Sequence, residues 1–152
     1  MNKKAWVGVL LLAFNNTVAL CIHTVIAIAV FNLHIHGIIN VDDNDLMLII
    51  VVSVLYIICG LIFLRTVHRR ACLSVSSVFI ALFLLCFFCV ISGVVEAGLA
   101  YLFSNMIYAD WLFKRLGYSD VGSFVSTIIP SLLMYIGLLL KMWCVKMVHK
   151  NY

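Results

Sequence analysis

Four long apolar runs divide the chain, at Ala5–Phe31, Leu46–Leu64, Leu73–Val95 and Val121–Leu140, and the charged residues gather between and outside them. A helix rises ~1.5 Å per residue, so about 20 apolar residues cross a hydrocarbon core of ~30 Å. The pattern predicts an all-α, four-helix transmembrane bundle that uses residues 1–152 as a single membrane domain. The first helix is expected to begin near Lys3, and Asp45 is placed to cap the second. The turn Arg65–Arg70 is so short that runs two and three must form an antiparallel hairpin. Apolar character after run three persists to about Phe103, so its helix is expected to tilt or to rise beyond the headgroups.

Between runs three and four the pattern changes. Segment Ser104–Gly122 interleaves Tyr108, Trp111, Phe113 and Tyr118 with Asp110, Lys114 and Arg115. Aromatic rings with polar edges collect at the bilayer interface, so a short interfacial helix ended by Gly117 is expected, serving as an aromatic belt. Run four holds the one proline, Pro130, which frees a backbone carbonyl and favours a kink; Ser126, Thr127 and Ser131 surround it.

Composition confirms the solvent. Of the 152 residues 66% are hydrophobic and 11% charged, with a mean hydropathy of +1.21. A soluble domain carries about 25% charged residues, so lipid must cover part of this surface and no room remains for a soluble catalytic domain. The net charge of +4 is distributed asymmetrically. Lys3 and Lys4 precede run one, Arg65, His68, Arg69 and Arg70 separate runs two and three, and Lys141, Lys146, His149 and Lys150 follow run four. The first loop holds Asp42, Asp43 and Asp45 without Lys or Arg. Cytoplasmic flanks collect Lys and Arg, which places both termini in the cytoplasm, although Lys114 and Arg115 mildly oppose this. Run one is too long for a cleaved signal's apolar region and reads as an uncleaved signal-anchor. The membrane itself, plasma membrane or endomembrane, is left open.

Ionisable residues inside spans are functional hypotheses by default. Here they are His23 and Glu96, with Asn15 and Asn16 as uncharged companions. Counted from Ala5, His23 lies about 27 Å along its helix, towards the exoplasmic boundary, with Asn15 and Asn16 nearer the midplane. Asn16, Leu20, His23 and Ala27 share one helical face, and a tilted third helix would let His23 pair with Glu96. These groups serve either as interhelical glue or as a proton or ion relay; one acidic group near an edge is few for a relay. Run three offers a face of small residues, Cys86, Cys89, Gly93, Ala97 and Ala100, suited to close helix packing or a dimer seam. Asn15–Thr17 forms a glycosylation sequon that a transferase cannot reach inside a bilayer.

The cysteines point away from disulfides, since none lies in a predicted exoplasmic loop. Cys72 and Cys144 sit at cytoplasmic edges beside basic residues, where palmitoylation occurs, or act as small apolar fillers. His34 and His36 with the first-loop aspartates form a weak candidate for zinc or copper, equally readable as a solvated loop. No catalytic motif is present, and neither a cofactor nor a nucleic-acid partner is expected.

The layout resembles the lysosome-associated (LAPTM-like) four-span group and its arthropod relatives. The likeness rests on the basic-flanked first helix, the modest acidic loop, the tight basic turn closing Gly60–Arg70 and the aromatic, basic end Lys141–Lys146. It implies a four-span fold. The family's proline-tyrosine sorting motifs have no counterpart here, so lysosomal sorting and ubiquitin-ligase binding do not carry over.

Two functions remain open. One is a non-enzymatic membrane protein acting by lateral association with a membrane-protein partner or with its own copies, as adaptor, scaffold or complex subunit. The other is a small oligomeric transporter or channel subunit with a path lined by Asn15, Asn16, His23, Glu96 and the Pro130 kink.

Overall fold

A computed structural model of the chain describes residues 3–39, 45–65, 84–85, 88, 92–93, 106–116 and 120–150. Among the described residues there are four helices: α1 (Lys3–Ile35), α2 (Asp45–Phe63), α3 (Met106–Leu116) and α4 (Asp120–Lys150). Three carry stretches long and apolar enough to cross a membrane, at Trp6–Ile35, Leu46–Phe63 and Val125–Met147. The expected crossing Leu73–Val95 lies outside the described residues apart from 84–85, 88 and 92–93.

Run one extends beyond Phe31 to Ile35 because of how its helix ends. Gly37 adopts φ +66°, its N–H donates to the His34 carbonyl at 3.0 Å, and the Ile38 N–H donates to the Leu33 carbonyl at 3.0 Å. This is a Schellman cap, in which a left-handed glycine lets the last carbonyls find donors. The sequence boundary at Phe31 followed the fall in hydropathy, whereas the cap decides where the backbone stops. Likewise α4 continues past Leu140 to Lys150.

Contacts fix the helix directions. Asn15 of α1 meets Arg65 at the end of α2, and His23 meets Tyr56, so α1 and α2 are antiparallel. Gly60 lies against Met134, and Lys141 reaches Leu64, so α2 and α4 run parallel. Among the described helices the α2–α4 seam is the closest. A Cβ on Gly60 would collide with the backbone carbonyl of Met134, and one on Gly137 with that of Ile57. Membrane helices gain no hydrophobic drive from one another, so such close approach through small residues supplies the attraction. The buried positions of each helix follow one stripe: Ala19, Ile26 and Val30 on α1, Val52, Tyr56 and Leu64 on α2, Met134 and Leu138 on α4.

A helix does form between the third and fourth runs, and it stops one residue before Gly117 as the pattern predicts. Its first turn is not an exposed belt. Ile107, Tyr108 and Ala109 are all buried against the core, with Leu112 one turn on. Its polar side carries an ion pair between Lys114 and Asp110 at 2.9 Å, and Arg115 lies over the Trp111 ring at 5.3 Å. Tyr108 is packed into the core, against Ser53 and Tyr56 of α2.

Candidate functional site: a polar core that joins the helices

α2 positions the centre of the site. Ser53, Tyr56 and Gly60 fall on one helical face, which turns Tyr56 inward until it is fully buried. The Tyr56 hydroxyl lies 3.0 Å from His23 Nδ1, and the two rings stack with centroids 6.1 Å apart. The Tyr108 ring approaches the other side of Tyr56 at 6.5 Å, and its hydroxyl lies 2.8 Å from Ser53 Oγ. Three elements thus meet through His23, Tyr56, Ser53 and Tyr108. Burial pushes the Tyr108 phenol above the usual tyrosine range, and the bond to Ser53 pulls it partly back.

A second polar cluster closes the end of α2. The Asn15 side-chain amide donates to the Arg65 carbonyl at 2.8 Å, while the Arg65 N–H donates to Asn15 Oδ1 at 2.9 Å. One primary amide thereby satisfies both backbone groups of a residue beyond the helix end, where intrahelical partners run out. Lys141 Nζ donates to the carbonyls of Leu64 at 2.8 Å and Ile62 at 3.2 Å, bringing a cation to the negative end of the α2 dipole. The Arg65 guanidinium lies 4.6 Å above the Phe14 ring. Around Pro130, Ser126, Thr127 and Ser131 are buried, and Ser131 Oγ donates to the Ile128 carbonyl at 3.0 Å.

Asn15 is level with the end of α2, and His23 sits beside Tyr56, about 16 Å from the α2 start at Asp45. Lys3–Phe14 extends about 18 Å along α1 past the α2 end. The buried face of α1 runs Asn15, Ala19, His23, Ala27; Asn16 and Leu20 are only half-buried beside it. Asn16 Oδ1 is enclosed with no hydrogen-bond partner among the described residues.

The remaining candidates are scattered. Glu96, Cys72, Cys86, Cys89, Ala97 and Ala100 lie outside the described residues, as do Asp42 and Asp43. Gly93 sits in an exposed turn at φ +72° with open space where its Cβ would be. Ser92 just before it donates from its N–H to the Phe88 carbonyl at 2.9 Å. Cys144 is exposed on α4. His34 is half-buried and His36 exposed at the α1 cap; among the described residues no group of three metal-ligating side chains assembles.

Tyr56, Ser53, Tyr108, Arg65 and Lys141 were not foreseen as polar-core members, nor Gly60 and Gly137 as the tight seam. A signal existed: Ser53, Tyr56 and Gly60 interrupt a run of Leu, Ile and Val at helical spacing, as Thr127, Ser131 and Gly137 interrupt run four. Compared with known protein families, curated proteins and solved structures, the chain matches none.

Proposed function

We propose that this chain is a non-enzymatic membrane protein with four crossings and both termini in the cytoplasm, working by lateral association as an adaptor, scaffold or subunit of a larger membrane complex. The observation that carries the reading is where the buried polar groups point. Asn15, His23, Tyr56, Ser53 and Tyr108 each bond to another helix or its end. Polar side chains used in this way hold helices together and leave little for a solute to exchange with. The parallel run of α2 and α4 supports an even number of crossings, since the chain leaving the end of α2 must return to the opposite side before α4 begins. Arg65, Lys141 and Lys146 at that end agree with a cytoplasmic face.

The association surface in this reading is the projecting part of α1. Trp6, Val7, Val9 and Leu10 are each at least half exposed there, beyond the reach of α2. The likeness to the lysosome-associated group contributes only its four-crossing layout.

The test is affinity capture of the tagged protein in mild detergent, with Leu10→Lys and His23→Leu variants alongside. Leu10→Lys is expected to lose the companion or the homo-oligomer, and His23→Leu to retain it. Proton or ion flux in proteoliposomes that His23→Leu or Glu96→Gln abolishes would replace this reading with the transporter one. A clean monomer without companions would count against association.

A further inference from the structure

We draw no further inference here: the strongest candidate, the exposed stripe of small residues Ala13, Thr17, Cys21 and Thr24 on α1 beside the half-buried Asn16 amide, is an unpartnered helix face, and nothing in the structure shows what covers it.

Discussion

The α2–α4 seam makes a prediction whose sign depends on position alone. Gly8, Gly60 and Gly137, all in long helices, have very different surroundings. A Cβ at Gly8 meets open space, while one at Gly60 or Gly137 meets the backbone of the facing helix. A backbone carbonyl cannot rotate aside as a side-chain tip does, so the helices must move apart. Overpacking of a tight contact costs about 1–3 kcal/mol, against which an exposed Gly→Ala change in a helix gains up to about 1 kcal/mol. Gly8→Ala is therefore expected to be neutral or mildly stabilising. Gly60→Ala and Gly137→Ala should each destabilise by about 1–2 kcal/mol net. The double variant should lose less than the sum, because a seam already opened by one methyl accommodates the second. Denaturation in mixed detergent micelles, followed by the fluorescence of the three tryptophans, measures all four. Gly60→Ala as benign as Gly8→Ala, or strict additivity of the pair, would refute the close parallel crossing.

Two further expectations follow from the polar core. Asn15→Leu removes both bonds to Arg65 and strands a part-buried N–H and carbonyl, at up to about 1–3 kcal/mol for an unsatisfied group. Asn15→Asp, which keeps only the acceptor, should fall between; equal stability of Asn15→Leu and wild type in the same denaturation assay would remove the clamp from the account. Tyr108 holds its proton longer when folded than when unfolded, since burial raises its pKa. Its stabilising effect is complete below the ordinary tyrosine pKa of ~10 and is lost as pH climbs through the raised value. The stability gap between wild type and Tyr108→Phe should accordingly shrink in alkaline buffer, and a gap independent of pH would show that Tyr108 is solvated.

Much of the architecture is legible in the chain. Runs one, two and four become long apolar helices because each holds enough consecutive apolar residues to meet the crossing length, a condition that needs no tertiary information. The short helix before Gly117 is also legible locally, from its interleaved aromatic and charged residues and the glycine after it. The alignment of one helix against another is a different matter. Run one is longer than a bilayer is thick, and its contacts with Arg65 and Tyr56 show which portion lies beside α2. The inward turn of Tyr108 is equally hidden, since three successive buried residues, Ile107 to Ala109, fit no amphipathic period. Of the small residues expected to form a face on run three only Gly93 is described, and the tight crossing among the described helices uses single glycines in runs two and four. Each of these stands alone among large aliphatic neighbours, and only the partner helix reveals its use.

The central claim is that the buried polar side chains bind helix to helix. A double-mutant cycle on His23→Leu and Tyr56→Phe, read as unfolding free energy in detergent, tests it most directly. Interhelical hydrogen bonds in membrane proteins are worth about 0.6 kcal/mol on average and up to about 1.7, and a coupling in that range is expected for a pair 3.0 Å apart. A coupling indistinguishable from zero, with His23→Leu as stable as the wild-type protein, would contradict the account.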